Sequence, residues 1–589
     1  MMRSKSQIER LIRGALGEIK SDLIVTGGNL INVYSGEILE GIEFSVLDGR
    51  ICYVGESATH TRGDRTEVLD ARGLFVSPGF TDAHSHIGHF CRPYEYLQAY
   101  LAHGTTSIVA SCDEHATVFG FQGVRLFLDE VESHPIRVYT LLSMAAPQDP
   151  LLCNTRSLSQ AEFAEGLADP RVLGLGEIVS WLRLTQGDQE ILERIEMTLR
   201  EGKIIHGHTA GARDRKLSAI AAASVSSCHE PISEREAMER LRLGYWLMLR
   251  EGTFRRDLDA TLGPIVARRL STRRLILVTD GVAPDDTEDF GHIDFVVRRA
   301  IGLGLSPVQA IQAVTLNPAA YAGLEQEIGG ISPGRFADLT LLEDLEKVRV
   351  HSTMIAGRVM ARGGESLVTG NPISLPDHTI RNLRLRPSVS PDAFRIACPS
   401  HSARIRVMEL LNTTITREVI QQVSPEEGSL GANQNEDLLK IAVFDRHGES
   451  GRVALGFLKG FGARVGAVGT TVNLDENSLV IVGSDNRDMA LCANALIEMG
   501  GGMTVVDRGV VLEKIAFPVG GIFSLDPWRE VGKGLRKIHR CLREKGSPYP
   551  KPIYPICFLT FVTIPSLRIT DRGLVRVKDR RLVPLFVEG

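Results

Sequence analysis

The alternation of apolar and polar positions divides the chain into distinct stretches. Residues 8–20 place apolar side chains at helical spacing and predict an amphipathic helix. Short apolar runs follow at 23–25, 30–34, 42–46 and 51–54, separated by the turn signals Gly27-Gly28 and Asp48-Gly49. They predict a small β module. From about residue 74, strand-like runs alternate with helix-like stretches, the pattern of a parallel α/β architecture. The runs at 74–76, 106–110, 136–141, 172–175, 203–205, 224–227, 252–254 and 275–278 predict eight strands, and hence a (β/α)8 TIM-type barrel. The seventh has weak periodicity and is placed partly by position. Past residue 328 the β pattern returns and completes the first module. The predicted organisation is a discontinuous β module (1–73 with 329–370) around a barrel (74–328). A Pro-, Ser- and Arg-rich linker (371–400) and a C-terminal α/β domain (401–589) follow.

Active sites of such barrels sit at the C-terminal ends of the strands. The first predicted strand leads into Pro78-Gly79-Phe80-Thr81-Asp82-Ala83-His84-Ser85-His86. Residues two apart on a strand face the same side, so His84 and His86 are placed to grip one metal ion. The fourth strand delivers Glu177, the fifth His206 and His208, the sixth His229 and Glu230, and the eighth Asp280. Each alone is an ordinary loop residue. Five strands of one barrel ending in histidine or carboxylate point to metal binding. Imidazole and carboxylate without cysteine suit zinc, iron, manganese or cobalt. The ligands outnumber the needs of one tetrahedral ion, so a two-metal centre is expected, its ions about 3.5–4 Å apart with Glu177 as bridge. Water on such an ion becomes hydroxide near neutral pH, and Asp280 is the proton acceptor beside it. The implied chemistry is hydrolytic attack on an electrophilic carbon.

Composition narrows the alternatives. The chain has 589 residues, is 43% hydrophobic and 24% charged, and carries a net charge of −5. That charge supplies no electrostatic case for nucleic acid or an anionic membrane. No apolar run is long enough to span a bilayer, and the N-terminus does not read as a signal peptide. Nine scattered cysteines suit reduced thiols, so a cytoplasmic location is expected. The absence of any C-x-x-C excludes the other nucleobase-deaminase fold. Gly500-Gly501-Gly502 reads as a turn between helix and strand rather than a phosphate loop. His89 and His103 read as structural or supporting groups.

The Pro-Gly-Phe-x-Asp-x-His-x-His opening, Thr315-Leu316-Asn317-Pro318-Ala319 and the Gly329 to Leu342 stretch resemble the amidohydrolase superfamily. Over nearly its full length the chain resembles adenine deaminases. Ser227-Cys228-His229-Glu230, Arg250-Glu251-Gly252-Thr253 and Gly291-His292-Ile293-Asp294 support this, as do Gly456 to Gly462 and Met499 to Met503 in the tail. The resemblance implies hydrolysis of adenine to hypoxanthine and ammonia by hydroxide addition at C6. It also implies two divalent ions, manganese or iron, with zinc an alternative. His84, His86, His208, His229 and Asp280 match ligand positions, and Glu177 matches the strand-four carboxylate. Glu177 and Asp280 are the catalytic candidates, and Glu114, Trp181 and Glu230 the candidates for substrate contact. The expected partners are a purine and further copies of the chain (a dimer or larger), with neither nucleic acid nor membrane.

Five positions depart from the family pattern. His206 stands for an aspartate, and Gly281 follows Asp280 where an aspartate is usual. Ser111-Cys112-Asp113-Glu114 lacks the usual histidine. Val179-Ser180-Trp181-Leu182 and Leu474-Asp475-Glu476-Asn477 replace other family segments. These leave two alternatives open: an amidohydrolase acting on another aminated heterocycle or cyclic amide, and a non-catalytic binding or regulatory paralogue.

Overall fold

The computed structural model describes residues 3–144, 148–155, 157–383, 388–446, 451–474 and 476–588; Asp475 lies outside them. Eight parallel strands form the central barrel: Phe80–His86, Thr105–Ser111, Arg137–Leu142, Val172–Ile178, Ile204–Gly207, Ser227–Cys228, Trp246–Arg250 and Leu275–Val278. The first five make one continuous sheet and the last three another. The arcs meet at two seams. Asp280 N–H donates to the His84 carbonyl at 3.1 Å, and Gly207 N–H donates to Ser227 Oγ at 3.3 Å. Helices such as Pro93–Leu101, Phe121–Glu132, Gln189–Arg200 and Ile293–Gly302 follow the strands and cover the outside with their apolar faces.

Two predicted strands are corrected. The run at 74–76 is not the first barrel strand. It belongs to Phe75–Pro78, which pairs antiparallel with Leu339–Asp344 and parallel with Asn29–Asn32 in a seven-stranded sheet. The first barrel strand is Phe80–His86, so the histidine pair lies on the strand rather than after it. The seventh strand is Trp246–Arg250 rather than 252–254, and Gly252 sits where its Cβ would meet the Thr279 carbonyl oxygen at 1.9 Å. The seven-stranded sheet mixes strands from before and after the barrel. Arg137 ties the two parts by donating to both oxygens of Asp338, at 2.7 and 3.3 Å.

The C-terminal part is built on an eight-stranded, mostly antiparallel sheet running from Thr416–Val423 to Val510–Ala516. Helix Asn486–Met499 packs on it and ends at Gly500, whose φ of +79 starts the expected turn into strand Gly502–Asp507. Helix Trp528–Glu544 lies against the barrel helix Pro284–Phe290. There Tyr554 donates to Asp285 Oδ1 at 2.9 Å, and Lys551 Nζ lies 2.6 Å from Asp286 Oδ1. An aromatic seam of Phe90, Phe254, Tyr554 and Phe558 continues the contact. The C-terminal part is thereby seated over the mouth of the barrel. Among the described residues, no helix is long and apolar enough to cross a membrane.

Candidate active site

His84 and His86 alternate with Ala83 and Ser85 along the first strand, so both imidazoles enter the barrel from one side, their rings 5.2 Å apart. Asp82 shares that alternation. It is fully buried and accepts from Thr279 Oγ1 at 2.5 Å and Thr279 N–H at 3.2 Å. Its Oδ2 also lies 3.2 Å from His292 Nε2, while His292 Nδ1 meets Thr105 Oγ1 at 2.8 Å and the ring stacks on Tyr100. His292 thus braces the carboxylate that locks the first strand to the eighth. Removing Asp82 strands these buried partners. Asp82→Ala is expected to destabilise the protein by about 3 kcal/mol, read as a shift in the urea midpoint; an unshifted midpoint contradicts the bracing.

The residues expected as ligands converge. His84 Nε2 lies 3.1 Å from Asp280 Oδ1, and His86 Nε2 lies 3.8 Å from the same oxygen. Glu177 faces both sides of the cluster: Oε1 is 3.4 Å from His86 Nε2 and Oε2 is 3.2 Å from His229 Nε2. His208 Nε2 and His229 Nε2 approach Glu230 Oε1 at 3.4 and 3.6 Å. Four overlapping triplets each bring their ligand atoms within 4.8 Å: His84–His206–His229, His84–His86–Asp280, Glu177–His208–His229 and His229–Glu230–Asp280. His206, which sequence reasoning placed at a strand end without a ligand role, stacks on His84 at 4.7 Å. Its Nδ1 contacts the Tyr321 hydroxyl at 2.7 Å.

Electrostatics prepares this cluster for a cation. Burial, and then the neighbouring imidazoles, push His206 and His229 well below the usual histidine range. They are therefore neutral, the form that binds metal. Burial alone would raise Asp280, but His84 and Arg250 outweigh it and hold the carboxylate well below its ordinary range. His206 Nε2 and Glu177 Oε2 are buried without a hydrogen-bond partner. Unpartnered buried ligand atoms among imidazoles and converging carboxylates fit a divalent metal ion.

Arg250 ends the seventh strand, Trp246–Arg250, and so joins the strand-end set, which a strand at 252–254 does not reveal. Its Nη1 pairs with Glu230 and lies 3.0 Å from Asp280 Oδ2, while Nε donates to Asp257 at 3.1 Å. Glu230 therefore belongs at the cluster, beside Arg250. Glu114, the other candidate for substrate contact on the metal-side loops, is not among the residues lining the cavity. It is buried away from the cavity, where Oε1 accepts from His86 Nδ1 at 2.9 Å and lies 3.4 Å from His89 Nδ1. It orients the His86 imidazole through the nitrogen turned away from the cluster. His89 Nε2 in turn meets Asn477 Oδ1 at 3.1 Å, joining the metal-side loop to the C-terminal part.

The cluster forms the floor of a cavity of about 410 Å³. His86, Glu177, His208, His229, Glu230, Arg250 and Asp280 lie at its base. Trp181 stands on one wall, its Nε1 donating to the Ala210 carbonyl at 2.9 Å and its ring under Lys216 Nζ. The opposite wall comes from the C-terminal part, chiefly Thr414, Phe558, Phe561, Ile564 and Pro565.

Residues 75–360 match the family model described as the amidohydrolase family, and residues 413–581 match that of the adenine deaminase C-terminal domain. A protein named adenine deaminase from Cenarchaeum symbiosum is 37% identical over 98% of this chain and 95% of its own length. Another of that name, from Moorella thermoacetica, is 37% identical over 98% of this chain and 97% of its own. The chain belongs to the adenine deaminase family. The solved structure of a molinate hydrolase aligns with 61% of this chain and 99% of its own, at 16% identity and a TM-score of 0.45. Against the adenine deaminase pattern, the glycine after Asp280 has a local cause. Asp280 adopts φ +58 and Gly281 φ +99, and a Cβ on Gly281 would press within 3.3 Å of the His86 carbonyl oxygen. In this backbone a second aspartate would be strained, whereas glycine adopts the conformation freely.

Proposed function

We propose that this chain hydrolyses adenine to hypoxanthine and ammonia. The observation that carries the reading is the convergence of His84, His86, Glu177, His208, His229 and Asp280, all but the fully buried His84 lining one cavity, in a chain of adenine deaminase lineage. His84, His86, Glu177, His208, His229 and Asp280 would hold the divalent metal, two ions in this reading. Manganese or iron is proposed, with zinc the alternative. When bound, the divalent ions supply Lewis-acid activation of water near neutral pH.

The chain's own residues supply the rest. Asp280 takes the proton of the attacking water and returns it to the leaving amine. Glu230, held by Arg250, faces the ring. Trp181 and the Phe558–Phe561 wall sandwich the base and exclude bulk water. The cavity is roomier than a bicyclic base needs, which favours a larger aminated heterocycle as the second reading. Purified, metal-loaded protein should convert adenine with ammonia release and the absorbance change to hypoxanthine. Another compound preferred by more than ~10²-fold in kcat/KM would establish the second reading instead. The proposal includes a homo-oligomer, dimer or larger, in the cytoplasm. Nine free cysteines are consistent with that compartment, and light scattering measures the assembly.

A further inference from the structure

Arg568 lies on strand Leu567–Thr570, and its side chain is wholly buried. Among the described residues no carboxylate pairs with it. Its hydrogen bonds go to main-chain carbonyls: Nε to Ile564 at 2.8 Å, Nη1 to Phe558 at 2.9 Å, and Nη2 to Thr414 at 2.5 Å and Pro565 at 2.9 Å. Burial pushes the guanidinium down to about 9, which leaves it charged near neutral pH. A buried cation without a counter-ion is costly and rare. Among the described residues it is offset by carbonyl dipoles alone.

All four of those carbonyls belong to residues that line the cavity. One planar fork therefore ties together two chain segments, around 414 and 558–565, that form the cavity wall contributed by the C-terminal part. The link continues to the barrel. Thr414 Oγ1 accepts from Arg255 Nη1 at 2.6 Å, and Arg255 and Arg250 share Asp257 Oδ2 at 3.2 and 3.1 Å. Arg250 closes the chain on Asp280.

We propose that Arg568 is a positioning residue that fixes the C-terminal wall of the cavity in place beside the histidine–carboxylate cluster, and so sets substrate affinity. This rests on the purine reading above. Lysine keeps the charge but cannot reproduce a fork aimed at four carbonyls. A residue that merely stapled the fold would alter stability and leave the folded enzyme's KM alone.

The test uses the full-length, metal-loaded protein with Arg568→Lys and Phe561→Ala. Each is checked for native circular dichroism and metal content, then assayed for adenine turnover and, by calorimetry, for adenine Kd. For Arg568→Lys the expected result is a rise of about tenfold or more in KM and Kd with kcat within about threefold. Phe561→Ala, which removes wall surface without touching Arg568, should weaken binding in the same sense. Folded Arg568→Lys with unchanged KM and Kd overturns the inference. Should that variant fail to fold, unchanged adenine affinity in Phe561→Ala overturns it. A wild type that binds adenine without deaminating it contradicts the deaminase reading alone, because the affinity comparison still reads the wall.

Discussion

Replacing Asp280 by asparagine should leave the protein folded and lower kcat by about three orders of magnitude, the range that a positioned proton-transfer group contributes. Asp280 holds φ +58, a conformation that asparagine also tolerates. The side chain is isosteric and can still meet His84 across 3.1 Å. Arg250 keeps its pairing with Glu230 and its hydrogen bond to Asp257, so no buried cation is stranded. What is lost is an anionic oxygen beside two histidines, able to take and return a proton. Steady-state kinetics together with circular dichroism separates chemistry from folding. Turnover of the variant at the wild-type rate would remove Asp280 from the mechanism.

Glu177→Gln should have an effect of similar size by a different route. Glu177 offers one oxygen to His86 at 3.4 Å and the other to His229 at 3.2 Å. It is nearly buried, and Oε2 has no hydrogen-bond partner. An amide presents one neutral oxygen and one N–H₂ donor in place of two anionic oxygens. The variant should therefore lose metal stoichiometry, measured by elemental analysis, and activity should fall by at least ~10²-fold even with added metal. Full metal content with full activity would place the bridge elsewhere.

Much of this site is legible in the residues themselves, and the misplacements have physical causes. His84, His86, Glu177, His208, His229 and Asp280 all lie at strand ends of one barrel, and strand-end logic finds them without a structure. Leu74-Phe75-Val76 draws the prediction of the first strand because it is a more apolar run than Phe80-Thr81-Asp82-Ala83-His84-Ser85-His86. A strand that aims polar side chains into a barrel hides its own periodicity. Trp246-Leu247-Met248-Leu249-Arg250 is buried on both faces, and such parallel strands show no period-two signal. That slip concealed Arg250. Glu114 points to His86 only through the turn after strand Thr105–Ser111, a geometry invisible to spacing. The wall from the C-terminal part depends on pairs such as Arg568 with Thr414, which meet only through the tertiary fold.

We propose that this cluster, loaded with divalent metal, deaminates adenine. Titrating metal-free protein with manganese(II) or iron(II) while following ammonia release from adenine tests it most directly. The expected result is no activity without metal, then a rise that saturates at two ions per chain, with hypoxanthine formed in step with ammonia. Metal bound at that stoichiometry without ammonia release from adenine would contradict it.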